Sequence, residues 1–159
     1  MYDHEIIAFF PFYDEEGNDY TRVYLNDGTV KVYTEPIQSF ISNWLACYHL
    51  DLNTLQLYAS RRIHRKVHIP LIITHDQFYL PVRIRSTYGK YDVAYGYILR
   101  TEEYGYTHYW QYLSAEDRHI VESQLAYIRS QEQSGLVLAY DHYRYGHHRR
   151  FLREPARPL

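Results

Sequence analysis

The chain contains a tight-turn sequence between two β-prone segments. Asn26, Asp27 and Gly28 stand between the segments TRVYL and TVKVYT. These three residue types tolerate the left-handed backbone of a tight turn, and β-branched and aromatic residues favour strands. The sequence therefore predicts a β-hairpin here, preceded by a first strand over residues 6–13. Because proline cannot donate a ladder hydrogen bond, Pro11 predicts that this first strand lies at a sheet edge or ends there.

Two consecutive helices are predicted to follow the hairpin. Pro36 suits the first turn of a helix, where its missing N–H would have no partner in any case. The residues after it repeat apolar side chains at the spacing of one buried helical face, namely Ile37, Phe40, Ile41, Trp44, Leu45 and Tyr48. Asp51 is a suitable N-cap for a second helix. That helix turns Leu52, Leu55, Tyr58 and Ala59 inward and ends at a cluster of basic residues.

The second half of the chain predicts further strands and then a helix. VHIPLIIT and FYLPVRIR flank a turn at residues 75–77, which indicates a second hairpin, and DVAYGYIL indicates another strand. Ser114 and Asp117 have the spacing of a capping box at the start of a helix. The expected fold is α+β: an antiparallel, tyrosine-rich sheet with two consecutive helices after the first hairpin and one late helix.

Length and composition favour one globular domain. A chain of 159 residues, 46% hydrophobic and 23% charged, can bury a core as a single unit. We expect one domain over residues 1–150 and a flexible basic tail over 151–159, which two prolines interrupt. No apolar run approaches the roughly 18 residues of a membrane helix. Asp3 and Glu5 stand where a secretory signal carries basic residues. These features predict a cytoplasmic protein with no membrane partner.

The net charge of −2 conceals a segregation of charge along the chain. Residues 1–60 hold nine acidic residues against two basic ones, whereas residues 61–100 hold eight basic residues against two acidic ones. Residues 101–142 are acidic again, with seven acids and two bases, and residues 143–159 hold five arginines against one glutamate. Because a polyanion responds to the local field rather than to the net charge, this pattern is compatible with binding to nucleic acid.

The basic segment supplies a candidate binding surface, which we call the basic band: Arg61, Arg62, Arg65, Lys66, Arg83, Arg85 and Lys90. Alternation along a strand places Arg83 and Arg85 on the same face. Binding to a phosphate backbone requires several cations on one surface, because each neutralised phosphate releases counterions. The plainer interpretation is a solvated face whose cations pair with the acidic first 60 residues. We favour binding because of the arginine spacing and because residues 52–75 contain no acid.

Tyrosine is unusually frequent, with 20 residues in the chain. Aromatic residues favour strands, so most of these side chains are expected at the sheet surface and at the rim of the core. A half-buried tyrosine can also present its hydroxyl to water or phosphate. Contacts from some tyrosines to sugar or base therefore remain an alternative.

The C-terminal segment DHYRYGHHRR raises the alternative of a small nuclease. His142, His147 and His148 stand among arginines and tyrosines, a combination that can supply a general base and a phosphate clamp. No paired acidic motif, glycine-rich phosphate loop or HExxH pair accompanies them. The single cysteine, Cys47, excludes a cysteine-rich zinc site. We therefore predict no catalytic residue, no metal site and no cofactor.

Several short segments also follow one another in a distinctive order. An AFFP strand and the hairpin RVYLNDGTVKVY precede Tyr58-Ala59-Ser60-Arg61-Arg62, which is followed by Pro70-Leu71-Ile72-Ile73 and Phe78-Tyr79-Leu80-Pro81. This order resembles the ComK-type competence transcription factors of low-GC Gram-positive bacteria. The resemblance covers about residues 6–98. Residues 101–159 match the family poorly, and the acidity outside the basic band also departs from it.

The resemblance implies a transcriptional activator of DNA-uptake genes that binds A/T-rich double-stranded promoter DNA, largely from the minor groove. It further implies action as a homo-oligomer and control by an adaptor of a Clp-type protease. The DNA-binding residues would be those of the basic band, with Tyr58, Ser60 and Tyr88 as supporting contacts. A protein-interaction module, whose basic face meets an acidic partner, stays open as a different class of function beside the nuclease.

Overall fold

The computed structural model of the protein describes residues 6–64, 69–85 and 93–156. The strands in this part of the chain are β1 (Ile6–Tyr13), β2 (Asp19–Leu25), β3 (Val30–Tyr33), β4 (Leu71–Thr74), β5 (Gln77–Arg85) and β6 (Val93–Thr101). The helices are α1 (Ile37–Ala46), α2 (Leu52–Ile63), α3 (Tyr106–Trp110), α4 (Ala115–Glu122) and α5 (Leu125–Ala156).

The six strands form one sheet in the order β3-β2-β1-β6-β5-β4, and every neighbouring pair is antiparallel. Two three-stranded units, β1–β3 and β4–β6, meet where Ala8 pairs with Ile98 and Phe9 pairs with Tyr97. Helices α1 and α2 stand between these units in the sequence, and α3 to α5 follow them. The predicted α+β fold with an antiparallel, tyrosine-rich sheet is confirmed.

The position of β1 differs from the one that Pro11 predicts. β1 is an interior strand with β2 on one side and β6 on the other, so the expectation of an edge strand or of an end at Pro11 is wrong. The reason is local. Pairing with β6 is at Ala8 and Phe9, and Pro11 lies beyond these residues, opposite Thr21 of β2. The missing N–H therefore falls outside the paired stretch between β1 and β6.

The predicted first hairpin is present, with its turn at residues 26–29. Gly28 has a φ of 89°, a conformation that side-chain-bearing residues rarely adopt. The Gly28 N–H donates to the Leu25 carbonyl at 3.1 Å, and the Leu25 N–H donates to the Thr29 carbonyl at 2.9 Å. The Asp27 carboxylate accepts from the Thr29 N–H at 2.8 Å, and the hydrogen bonds from Thr29 hold the pKa of Asp27 below its usual value.

The two faces of the sheet are covered by different helices. Phe9 contacts Phe40 and Trp44 of α1, with ring centroids 5.7 Å and 5.3 Å apart. Phe10 points to the opposite face because side chains alternate along a strand, and the strand registers place Phe78 on that same face. Gly135 of α5 packs directly on the Phe78 ring. The sheet therefore lies between α1 on one face and α5 on the other.

The two helices after the first hairpin are confirmed. The predicted apolar face of α1 is buried from Ile37 to Leu45, including Trp44 at 1% exposure, whereas Tyr48 lies beyond the end of the helix and is half-buried. The Asp51 carboxylate caps α2 by accepting from the Thr54 N–H at 2.9 Å. Hydrogen bonds from the Thr54 backbone and side chain hold the pKa of Asp51 below its usual value. On α2, Leu52 and Ala59 are buried as predicted, but the inward position predicted for Tyr58 is wrong, since this residue is 45% exposed.

The end of the chain forms three helices rather than the one late helix that the sequence predicts. Ser114 caps α4 as expected, accepting from the Asp117 N–H at 3.2 Å. The helix is interrupted after Glu122, and a further helix, α5, begins at Leu125. α5 also includes residues 151–156, part of the predicted tail. Residues 157–159 lie outside the described part, and the flexibility of the tail stays a prediction.

None of the helices in the described part of the chain combines the length and the apolar character that crossing a lipid bilayer requires.

Candidate nucleic-acid interface

The first part of the basic band is the last turn of α2. Arg61 and Arg62 lie in this turn, where cations interact favourably with the helix dipole. Arg61 is exposed, and Ser60 is half-buried with its carbonyl accepting from the His64 N–H. The helix ends at His64, which adopts the left-handed conformation with a φ of 58°. This turn presents one cation to solvent and directs a second toward α5.

Arg62 is held by an aspartate from the far end of the chain. Its Nε donates to the Oδ2 atom of Asp141 at 2.5 Å, and the Tyr58 hydroxyl donates to the same oxygen at 3.1 Å. Tyr58 and Arg62 are four residues apart and so share one face of α2. The Asp141 side chain is 6% exposed, whereas the Arg62 side chain is 48% exposed. The carboxylate therefore lies behind the guanidinium as seen from solvent.

The second part of the basic band lies at the far end of β5. Arg83 is exposed, and its guanidinium carbon stands 4.3 Å from the centre of the Tyr127 ring in α5. This is the geometry of a cation–π contact. The Gln124 side chain bonds the same residue's backbone: it accepts from the Arg83 N–H at 2.9 Å and donates to the Arg83 carbonyl at 2.6 Å. The backbone of Arg83 is therefore fixed independently of its side chain.

Helix α5 connects the two parts of the basic band. Its residue Tyr127 contacts Arg83, and its residue Asp141 contacts Arg62. A rise of 1.5 Å per residue places these two positions of α5 about 21 Å apart along the helix axis. Among the side chains that the structure describes, the two parts of the basic band therefore contact the same helix at different positions along its length.

Several predicted site residues lie outside the described part of the chain. Arg65 and Lys66 follow α2, and Tyr88 and Lys90 fall between β5 and β6. The backbone of Arg85 belongs to β5, opposite Val93 of β6, and its side chain lies outside the described part as well. Arg61, Arg62, Arg83, Tyr58 and Ser60 are the predicted site residues whose side chains the structure describes.

In the part of the chain that the structure describes, the acids that pair with arginines come from the third charge block, residues 101–142. Arg22 pairs with Asp117 at 3.4 Å, Arg62 with Asp141 at 2.5 Å and Arg100 with Glu132 at 3.2 Å. All three acids belong to residues 101–142, which form the helices after the sheet. Within the described ranges, neither Arg61 nor Arg83 has an acidic partner. The alternative interpretation, in which the acidic first 60 residues pair with the basic band, does not hold for the side chains of Arg61 and Arg83.

A buried polar network joins the sheet to α4. The Tyr24 hydroxyl donates to the Asp117 carboxylate and lies 3.1 Å from the Ser114 hydroxyl. Asp117 is 2% exposed, so its charge depends on these donors and on Arg22. Burial is the main cause that raises the pKa of Tyr24, and the hydrogen bond to Asp117 adds to it. The capping box at Ser114 thus also positions a buried carboxylate, which its sequence pattern alone does not reveal.

The most buried tyrosines are structural. Tyr79 packs among Phe9 and Trp44, with ring centroids 5.5 Å and 5.0 Å away, and its hydroxyl donates to the Ile6 carbonyl at 2.6 Å. Tyr97 stacks on Phe9 at 5.3 Å. Burial raises the pKa of both tyrosines far above the usual value. These residues match the interpretation of tyrosine as a sheet and core residue.

One polar cluster lies at the turn between β4 and β5. Ligand atoms of His75, Asp76 and Glu102 come within 4.8 Å of one another, and all three residues are exposed. The Asp76 carboxylate also accepts from the Thr74 hydroxyl at 2.5 Å. Exposed groups of this kind are common at turns, and nothing else among the described residues indicates a ligand here.

Comparison of the chain with protein-family models, with curated proteins and with solved structures finds no match. The candidate interface therefore rests on the residues and contacts described above. No local sequence pattern marks Asp141 and Gln124, the two residues that bond Arg62 and Arg83. Asp141 ends the apolar run LVLAY and Gln124 stands in a break between helices, and only the folded chain brings them to Arg62 and Arg83.

Proposed function

We propose that the chain is a DNA-binding transcriptional regulator, an activator of the ComK type, which binds A/T-rich promoter DNA through the basic band. The observation that carries this proposal is the pair of exposed guanidinium groups of Arg61 and Arg83, which have no acidic partner in the described ranges. Exposed, unpaired arginines are available to phosphate. The order of sequence segments that resembles ComK-type factors supports the same function.

The spacing along α5 suits contacts to a duplex. Phosphates of one DNA strand are about 3.4 Å apart along the duplex axis, so the rise of about 21 Å between Tyr127 and Asp141 along α5 corresponds to about six base pairs. A/T-rich sequences have a narrow and strongly negative minor groove, into which arginine inserts well. The proposal includes binding as a homo-oligomer in the cytoplasm and control by a Clp-type protease adaptor, both of which come from the resemblance.

The first test is a titration with A/T-rich and G/C-rich duplexes at two salt concentrations. We expect tighter binding to the A/T-rich duplex and a marked loss of affinity as salt rises, because phosphate contacts release counterions. The double variant Arg83→Ala with Arg85→Ala is expected to weaken binding about tenfold or more. The Gln124 contacts are to the Arg83 backbone, so this variant should keep its fold.

A matched control removes a cation elsewhere on the sheet. Lys31 is exposed on β3, the strand at the opposite edge from β4. Lys31→Ala should leave affinity within about twofold of the parent protein, since it lies away from the basic band. Equal losses from Lys31→Ala and from the arginine variant would mean a non-specific charge effect. Absence of binding to either duplex at low salt would overturn the proposed function.

A protein-interaction module is the second candidate, and one observation favours it. Exposed apolar side chains occur on α5 at Leu136, Val137 and Tyr140, with exposures of 43%, 38% and 63%. Apolar groups on one helix are a common feature of protein interfaces. Tight self-association without DNA affinity, measured by sedimentation, would favour this function. The nuclease alternative depends on His142, His147 and His148, whose side chains lie outside the described part of the chain.

A further inference from the structure

Asp141 of α5 bonds two side chains of α2. Its carboxylate accepts from the Arg62 Nε and from the Tyr58 hydroxyl on one oxygen, Oδ2. Both donors come from one face of α2, whereas Asp141 comes from α5. The carboxylate thereby fixes the direction of the arginine side chain relative to two helices.

Arg62 is accessible to a ligand, whereas Asp141 is buried. The Asp141 side chain is 6% exposed and the Arg62 side chain is 48% exposed, so a phosphate can approach Arg62 but not replace Asp141. Arginine has five N–H donors, and Nε carries only one of them. Within the part of the chain that the structure describes, the terminal nitrogens of Arg62 have no acceptor. The outer edge of the guanidinium is the part that two phosphate oxygens can bind in bidentate fashion.

We propose that Asp141 is a positioning residue for DNA binding: through Nε it holds Arg62 so that the terminal nitrogens face a backbone phosphate. This inference rests on the proposed function and deepens it by assigning one phosphate contact to Arg62 and its orientation to a residue of α5. An arginine that is already ordered loses less side-chain entropy on binding. Residues 101–142, which do not match the competence factors well, thereby become part of the binding site.

The charge change makes the test decisive. Asp141→Asn removes a negative charge near a polyanion site, so long-range electrostatics alone would strengthen DNA binding. Positioning predicts the opposite, a loss of about fivefold to tenfold, because Arg62 no longer faces the phosphate. Glu132→Gln is the matched control: it removes a carboxylate from the same helix, one that pairs with Arg100. This control should bind as tightly as the parent protein or slightly more tightly.

Two further measurements separate positioning from a loss of structure. The slope of log affinity against log salt should fall by about 0.9 in both Asp141→Asn and Arg62→Ala, as expected for one lost phosphate contact. In the Arg62→Ala background, Asp141→Asn should cause no further loss. Arg62→Lys keeps the charge at an exposed position and should fold even if Asp141→Asn does not. It should lose as much affinity as Arg62→Ala, because lysine cannot bond Asp141 and a phosphate with one planar group.

The outcomes distinguish the two proposals. If the parent protein binds DNA and Asp141→Asn and Arg62→Lys bind equally well, positioning by Asp141 is wrong and the proposed function stands. If Asp141→Asn gains affinity, its carboxylate opposes DNA binding and the inference is overturned in the other direction. If the parent protein does not bind any duplex, the proposed function fails, and the inference fails with it.

Discussion

At the scale of single residues, the tyrosine hydroxyls of this chain have different hydrogen-bond partners, and the local sequence around each tyrosine does not reveal which partner it has. Tyr79 donates to the Ile6 carbonyl in the core, Tyr24 donates to the buried Asp117, and Tyr58 donates to Asp141 at the basic band. Each hydroxyl donates to a buried acceptor, and buried acceptors in proteins are nearly always hydrogen-bonded. The strand preference of tyrosine predicts the first use, whereas the other two depend on helices that are distant in sequence.

Gly135 offers a test of packing at this scale. An added Cβ would lie 2.3 Å from Cε2 of Phe78, a ring with 0% exposure that cannot move aside easily. Alanine is favoured over glycine in a helix by about 1 kcal/mol, whereas overpacking a core costs about 1–3 kcal/mol. We expect Gly135→Ala to lower the free energy of unfolding by up to about 2 kcal/mol in urea denaturation.

The control for this variant is Ser130→Ala, at an exposed position of the same helix. It should stabilise the protein slightly, since only helix propensity changes. Combining Gly135→Ala with Phe78→Leu should recover part of the packing loss caused by the glycine substitution. An increase in stability from Gly135→Ala alone would contradict the close contact between α5 and β5.

At the scale of secondary-structure elements, the end of β5 pairs with β6 on one side and with a helix side chain on the other. β4 begins at Leu71, opposite Tyr79, so β5 continues past the start of β4. Pro81 lies in this continuation. The N–H of Arg83, two residues later, points away from β6 and donates to Gln124. Because backbone N–H groups alternate in direction along a strand, the N–H that proline lacks would also point away from β6, so no hydrogen bond between β5 and β6 is lost. The amide of Gln124 then takes the place of a neighbouring strand at Arg83.

Removal of this amide should loosen the end of β5. We expect Gln124→Ala to lower the free energy of unfolding by about 1–2 kcal/mol, because two backbone hydrogen bonds lose their partner. The Arg83 amide should also exchange with solvent faster in hydrogen-exchange measurements. Gln133→Ala, the same change at an exposed position of α5, should alter neither quantity appreciably. Equal effects of the two variants would argue against a specific role for Gln124.

Most elements follow from local sequence patterns, and the exceptions have physical reasons. The Asn26–Gly28 turn and the apolar stripe of α1 are strong signals, and both elements are where the sequence predicts them. The length of α5 is not predicted, because Gly135 and the buried polar residues Gln131 and Asp141 interrupt its apolar pattern. Gly135 is explained by the Phe78 ring and Asp141 by Arg62, and both of these partners lie far away in the sequence.

At the scale of the whole molecule, one aromatic core supports both units of the sheet. Phe9 of β1 contacts Tyr97 of β6 and Tyr79 of β5, so the ring cluster spans the junction of the two units. Ion pairs also join the helices after the sheet to earlier elements. Acids of residues 101–142 pair with arginines of β2, α2 and β6. The segregated charges of the sequence are thus partly brought together by folding.

The buried tyrosines predict how stability depends on pH. Burial raises the pKa of Tyr79 and Tyr97 well above the usual value of 10.0. Above that value the unfolded chain releases protons that the folded protein retains, so stability present below about pH 10 is lost as pH rises. Each such tyrosine contributes a slope of up to about 1.4 kcal/mol per pH unit.

Tyr97→Phe provides the measurement. The free energy of unfolding, followed by urea titration between about pH 9 and pH 11.5, should fall less steeply in the variant than in the parent protein. The phenyl ring keeps the stacking contact with Phe9, so the variant should remain folded at neutral pH. An identical slope for the two proteins would show that ionisation of Tyr97 is not linked to unfolding.

Local signals in the sequence predict the two hairpins, the apolar face of α1, the Asp51 cap of α2 and the start of α4. These follow from turn propensity, capping and periodicity, which act over a few residues. Three features follow only from tertiary packing: the interior place of β1, the bonds of Gln124 to Arg83, and the contact of Asp141 with Arg62, 79 residues away. Such contacts form only when the apolar faces of distant segments pack together, and no local pattern of residues encodes which distant partners that packing brings into contact.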